Sequence, residues 1–330
     1  MGTMALIGIQ GKHMSARIQS IRAYKDITLQ QLRSFCETVR VGSLTAAADS
    51  LGLARPTVWK QVHALERHLG MQLLEPHARG CRPTQMGSAL AKMASPLVTG
   101  IGSLKEALEA TLTTIESHVK LAATPRLFLD DLPPCVREFE RRFPHTRLTL
   151  NEMNVDQVAV AVTSELADIG LAASGPVDDD TWLLYEPCYE LDMILVTPPD
   201  HPLARKRRVR AADLADYALV NSPSSFADPE MCRRLEKLRL SQTQPRRVEA
   251  SSYAAIRRYV ALGYGIGLVA VSVLHQRDPS FHERSMSHEL GRLMVYSIRR
   301  RGALEGEAHR EFLKIARTKL TYPSSRARSR

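Results

Sequence analysis

SLTAAADSLGLARPTVWKQVHALERHLG, residues 43 to 70, decides how the rest of the chain is read. Two short helical patterns stand on either side of a turn too tight for a hairpin, which is a helix-turn-helix. Ser43 is placed to cap the first helix, Ala46, Ala47 and Leu51 form its small inner face, and Gly52 supplies the backbone freedom needed to leave it. Pro56 fits the first turn of the second helix, where a missing N–H costs nothing, and Val58, Val62, Leu65 and Leu69 recur at helical spacing as a buried stripe. Arg55, Thr57, Trp59, Lys60 and His63 are left to face outward. They bring donors, two cations and a large aromatic to the N-terminal end, where recognition helices meet base edges. The expected place of this helix is a major groove. On these residues alone, an ordinary helical bundle with a solvated basic face is the competing reading.

The flanks decide between the two. Upstream, Thr28 and Gln31 form a T-x-x-Q capping box, and Leu29, Leu32, Phe35, Cys36 and Val39 share one face of a supporting helix. Downstream, MQLLEPHARGCRPT alternates and turns at Ala78-Arg79-Gly80, a small two-stranded wing with Arg79 and Arg82 expected at its tip, suited to phosphates or a minor groove. Residues 27 to 87 resemble the winged-helix DNA-binding domain of LysR-type transcriptional regulators. The runs LQQLRSF, GSLTAAADSLGLARPTVWKQV, LERHLGMQLLE and RPTQMG carry the likeness in the family's order and spacing. One departure stands out: the family's recognition helix usually opens with serine and glutamine before the proline and has a serine three residues after it. Ala54, Arg55 and Trp59 occupy those places here.

At 330 residues and 44% hydrophobic content, the chain is long enough for two domains and a linker. A net charge of +10 and a pI near 9.6 suit a polyanionic partner without identifying one. The five cysteines, Cys36, Cys81, Cys135, Cys188 and Cys232, are widely spaced with no C-x-x-C pair, and read as reduced, mostly buried thiols of a cytoplasmic protein. Residues 1–26 hold only a brief apolar run and are expected to be a disordered extension, with Met14 an alternative start. No apolar run approaches the length needed to span a bilayer, so no membrane partner is expected. The basic residues 321–330 read as a disordered tail.

From residue 88 to 117, Leu90, Met93, Leu97, Ile101, Leu104, Leu108, Leu112 and Ile115 step by three or four, the period of a long amphipathic helix that cannot bury its stripe alone. The family resemblance makes this a linker through which two subunits pair, and further implies a tetramer and RNA polymerase as an additional partner. Pro96 predicts a kink or break near Ser95, because an interior proline removes a hydrogen bond.

Residues 118–320 alternate β-like runs (VKLAA, RLTLNEM, ADIGLAA, LDMILVT, YALVNS, RRVEAS, GIGLVAVS, RLMVYSI) with helices, the pattern of an α/β domain with mainly parallel strands. The resemblance extends here through LPPCVREFERRFP, ELADIGLA, DHPLA, DLADYALV and GYGIGLVA. It implies a two-lobed, type 2 periplasmic-binding-protein-like effector domain, with lobe I at 118–197 and 271–320 and lobe II at 198–270. Lobe crossings are expected near Thr197 to His201 and Val271 to Arg277. Small ligands of such domains sit where strand ends meet helix N-termini, which attract anions. Thr124, Pro125 and Arg126, then Asn221, Ser222 and Ser224, then Ser251 and Ser252 fit that description, although each hydroxyl alone suits a plain helix cap. By resemblance they line an inducer pocket, and Arg126 would suit a carboxylate.

Catalytic signatures are missing: no G-x-S-x-G, G-x-x-x-x-G-K-[ST] or H-E-x-x-H is present. Gly263, Gly265 and Gly267 lie after a helix and before a strand, the reverse of a dinucleotide fingerprint, and read as a turn. His282 and His288 are too scattered for a convincing zinc site. The sequence therefore points to a DNA-binding transcriptional regulator of LysR type responding to a small, anionic effector, with double-stranded DNA as partner and no cofactor or enzymatic activity. A small-molecule-binding α/β protein or enzyme with an incidental helical N-terminus is the alternative, and a sequence-indifferent nucleoid-type binder a third.

Overall fold

Capping chemistry sets the first three helices. The computed structural model describes residues 27–78, 80–111, 118–173, 175–176, 180–220, 229–237, 248–250 and 252–322. Helix α1 (Leu29–Val41) opens on the reciprocal Thr28/Gln31 capping box, α2 (Leu44–Leu51) on the Ser43 hydroxyl, and α3 (Arg55–Leu69) on Ala54, which gives no side-chain cap. Each ends on a left-handed glycine: Gly42, Gly52 and Gly70. Their shared core is Phe35, Ala47, Val58, Val62, Leu65 and Leu73, all nearly or wholly buried. On α2 the inner face is Ala47 and Ala48; Ala46, expected inside, is exposed, because the helix is rotated to press the later pair onto its neighbours.

Strands β1 (Leu74–His77) and β2 (Gly80–Pro83) pair antiparallel as the expected wing. Gly80 has no room for a side chain, since a Cβ there would lie 2.3 Å from the Gly42 carbonyl oxygen, and Cys81 donates its N–H to that same oxygen at 2.9 Å. The wing is thereby stapled to the end of α1. Helix α4 (Gln85–Gly102) runs on through Pro96 without a break near Ser95; the interruption comes at Ser103, after which α5 (Leu104–Thr111) begins. A proline sacrifices one hydrogen bond, and the helix tolerates that loss.

Two compact units divide the chain, Met1–Leu104 with Arg301–Leu304, and Lys105–Arg300 with Glu305–Arg330. Most of the expected linker segment thus belongs to the first unit. Residues 1–26 and 323–330, with Leu112 and Ile115 of the linker stripe, lie outside the described residues, whereas Thr321 and Tyr322 are placed: the Tyr322 ring lies under Arg292 at 4.4 Å.

The second unit carries one seven-stranded sheet in the order β4-β3-β5-β9-β6-β7, with β8 also paired to β6. Strands β3 (His118–Ala123), β4 (Arg147–Glu152) and β5 (Ile169–Ala172) are parallel, linked by α6 (Pro133–Arg142) and α7 (Val155–Thr163). The remaining pairings are antiparallel: β6 (Leu183–Thr197) with β7 (Gly267–Val271), with β8 (His282–Ser285) and with β9 (Arg292–Arg300), which also pairs with β5. The expectation of mainly parallel strands is therefore corrected to a mixed sheet. Of the other expected strands, YALV makes only an isolated bridge, Leu219 to Ile266, and the described part of RRVEA, residues 248–250, is not in a strand.

The long β6 serves both lobes, and helices α8 (Pro202–Arg205), α9 (Pro229–Lys237) and α10 (Tyr253–Ala261) lie between it and β7 in the chain. Its first part pairs with β9, a register shift falls between Pro187 and Tyr189, and its last residues pair with β7 and β8. The chain passes between lobes around Asp192, where both pairings meet, and returns through the short α11 (Ser287–Leu290), since Ser285 still pairs with Ile194. Both passages lie away from the expected crossings at Thr197 to His201 and Val271 to Arg277. Helix α12 (Glu307–Leu320) closes the larger core, where Phe139 of α6 meets Phe312 edge-on at 5.5 Å and Leu121, Ile169, Leu171, Leu191 and Met193 are fully buried. Each such side chain contributes about 1.5–3 kcal/mol.

Candidate nucleic-acid interface and effector cleft

On α3 the buried stripe of Val58, Val62 and Leu65 fixes which residues face outward. Arg55, Pro56, Thr57, Trp59 and Lys60 are exposed, and His63 is half-exposed. Among the described residues, neither Arg55 nor Lys60 meets a carboxylate, so the N-terminal end of the helix presents two uncompensated cations. Ser43 acts as the cap of α2, its hydroxyl accepting the Ala46 N–H at 3.4 Å.

The wing differs from expectation. Arg82 stands within β2, not at the tip, directly across from Glu75, and its Nε donates to Glu75 Oε1 at 2.6 Å. Its charge is met inside the wing, so a phosphate would have to compete for it. Arg79 lies outside the described residues. Cross-strand pairing of this kind depends on register, which alternation alone leaves open.

The second unit gathers part of the expected effector set and adds groups the sequence did not single out. Thr124 follows β3, its carbonyl accepts the Leu127 and Phe128 N–H groups, and its hydroxyl has no hydrogen-bond partner among the described residues. Pro125 is exposed in the same turn. Arg126 is half-buried and donates two hydrogen bonds to the buried Asp131, at 3.3 and 3.0 Å, and Tyr189 donates its hydroxyl to the same carboxylate at 3.0 Å. A single π-turn, Leu127–Asp131, brings the carboxylate round to the arginine. The cation expected for an effector carboxylate is thus already engaged. Ser252 caps α10 (Tyr253–Ala261), accepting the Ala255 N–H at 3.2 Å, which is the plain reading of that hydroxyl. Asn221, Ser222, Ser224 and Ser251 lie outside the described residues.

Asp130 connects this edge to the other lobe. Although the residue is exposed, partial desolvation pushes its carboxyl above the usual range, Arg126 opposes that, Asp131 adds to it, and His275 and Arg257 lower it from the other lobe. Arg257 is itself held: it donates to the Tyr253 hydroxyl at 2.8 Å and to Asp278, lies over the Phe281 ring at 4.7 Å, and stands 3.9 Å from Glu283, whose other oxygen meets His275 at 2.7 Å. Asp130 and Asp131 belong to the π-turn, Tyr189 to β6 and Arg257 to α10, elements far apart in the chain, so no local pattern in the sequence marks them as a group. The glycines 263 and 265, both at positive φ, form the expected turn into β7.

Burial removes the thiols from this chemistry. It pushes Cys36 and Cys135 up to about 12 and Cys188 to about 11, so all three stay protonated.

The comparisons agree with this division of labour. Residues 114–321 match the LysR substrate binding domain, and residues 29–88 match the bacterial regulatory helix-turn-helix protein, lysR family. The HTH-type transcriptional regulator CysB of Burkholderia cenocepacia is 28% identical over 280 residues, covering 84% of this chain and 89% of that protein. Among solved structures, HinK, a LysR family transcriptional regulator from Pseudomonas aeruginosa, is similar at TM-score 0.55 and 19% identity, over 89% of this chain and 99% of that one. A Corynebacterium glutamicum OxyR mutant bound to H2O2 is similar at TM-score 0.53 and 20% identity, over 89% and 92%. Helix-turn-helix and two-lobed α/β domain occur together in the order this family defines, and the chain belongs to the LysR family of transcriptional regulators, which are not enzymes.

Proposed function

We propose that the protein binds operator DNA as a dimer, with α3 in the major groove and Arg55 reading a guanine in each half-site, and that a small polar effector beside Thr124 adjusts this binding. The observation that carries the reading is the pair of uncompensated cations, Arg55 and Lys60, at the exposed end of a helix whose opposite face is buried. Arginine donates in a bidentate manner to guanine O6 and N7, and a phosphate-contacting interface shows a steep fall of affinity with salt. Engagement of Arg126 by Asp131 shifts the expected effector away from a simple carboxylate: an anion would have to displace Asp131 to reach that cation. The Thr124 hydroxyl, which has no hydrogen-bond partner among the described residues, is the better anchor.

Self-association is supported by Met93, Leu97 and Ile101 on α4 and by Leu104 and Leu108 on α5, all large, apolar and exposed in the single chain. A cytoplasmic location fits five cysteines that form no disulfide, and RNA polymerase is the further partner that this reading allows.

The test is selection of preferred sites from a random DNA pool by the wild type and by Arg55→Gln. One symmetric position should shift away from guanine, with about 1–3 kcal/mol of discrimination lost. If the preferred sequence stays the same and binding weakens evenly, Arg55 is a phosphate contact and the base-reading claim fails.

A further inference from the structure

Trp59 stands one turn along α3 from Arg55, 49% exposed, between residues whose side chains are buried or charged. A single exposed apolar residue needs no explanation by itself. What distinguishes this indole is that its orientation is fixed. It meets the His63 imidazole edge-to-face, with ring centroids 4.2 Å apart and planes at 67°. His63 Nδ1 is in turn 2.6 Å from Glu66 Oε2. Glu66 is largely buried, and its other oxygen accepts the backbone N–H groups of Leu73 and Leu74 at 2.8 and 3.2 Å, at the root of the wing. Backbone, carboxylate, imidazole and indole form one connected chain that ends on the outward face of the helix. The ring overlooks an open groove of about 610 Å³ between α3 and the wing, lined also by Pro76, Gly80 and Cys81.

An ordered apolar ring beside two cations that meet no carboxylate among the described residues suits a surface that is polyanionic at its edges and carries an apolar group at its floor. The major groove of DNA has one such group, the C5-methyl of a pyrimidine. We infer that Trp59 reads a pyrimidine C5-methyl group in each half-site, with His63 and Glu66 as positioning residues that hold its ring. This rests on the reading that α3 enters the major groove. The methyl belongs either to thymine or to 5-methylcytosine, and the two sources are separable.

The experiment uses the full chain and the DNA site it selects. Thymines are replaced one at a time by deoxyuridine, which removes only the methyl, and cytosines by 5-methylcytosine, with affinity read by fluorescence anisotropy at two salt concentrations. Burial of one methyl corresponds to about a fourfold change. The wild type should lose about that much at one symmetric deoxyuridine position, or gain it at one 5-methylcytosine position; the first outcome names thymine, the second methylcytosine. Trp59→Ala should bind both versions equally. His63→Ala should shrink the ratio between them while retaining a salt-dependent, Arg55-sensitive affinity, whatever its overall strength, which loss of fold would not do. A wild type indifferent to every methyl, yet salt-dependent and sensitive to Arg55→Gln, would overturn the role of Trp59 and leave the major-groove reading standing. An absence of salt-dependent binding would sink both.

Discussion

Arg126 and Asp131 form a two-bond ion pair at 3.0 and 3.3 Å beside the proposed effector site, with the carboxylate fully buried and completed by the Tyr189 hydroxyl. Removing one member of a buried pair leaves the other charge uncompensated, at a cost of about 3 kcal/mol or more. Asp131→Ala should therefore lower the denaturant midpoint of the effector domain, followed through Trp182, and should also free Arg126. A gain of carboxylate binding in calorimetry would accompany the loss of stability. An unchanged midpoint would mean that water replaces the carboxylate without penalty.

Acid should loosen the same domain through Asp168. Burial alone would raise its carboxyl, but the His309 and Lys120 N–H hydrogen bonds and the nearby Arg300 charge outweigh that and hold it below its ordinary value of 3.8. A carboxyl that is more acidic folded than unfolded contributes stability in full above the unfolded value, and that stability is lost as pH falls through the lower folded value. Asp168→Asn should cost about 1 kcal/mol at neutral pH, discounted for residual solvent contact, and should flatten the decline of stability below about pH 4. Parallel acid profiles for variant and wild type would exclude Asp168 as the titrating group.

The exposed stripe offers a direct test of assembly. Leu104 and Leu108 are 55% and 59% exposed in the single chain, so an aspartate at either place is tolerated by the monomer and penalised only where a second copy covers it. Leu104→Asp and Leu108→Asp should each convert dimer to monomer in sedimentation, with the denaturation of the effector domain unchanged. A dimer that persists in both variants would place the pairing surface elsewhere.

For the thiols, a pKa of about 11 to 12 leaves roughly one molecule in a thousand or fewer as thiolate at pH 8. Brief alkylation of the native protein should leave Cys36, Cys135 and Cys188 unmodified, and denaturant should expose all three. Rapid native labelling of Cys188, followed by mass spectrometry of its peptide, would show that the barrier is not there.

The three helices of residues 29–69 were legible in the order of residues: the Thr28/Gln31 box, the Ser43 cap, the glycine stops and the outward set on α3 all depend on groups within a turn or two of one another, and such local bonds leave a pattern in the sequence. Which charges stay available depends on contacts between elements distant in the chain. Arg82 and Glu75 meet through the wing's register, and Asp131 meets Arg126 through the π-turn and Tyr189, 58 residues further along the chain, through the sheet. The same holds for strand direction: β9 is inserted antiparallel between β5 and β6 by pairings that span a hundred residues or more, and hydropathy records that a strand is buried but not which way its neighbour runs.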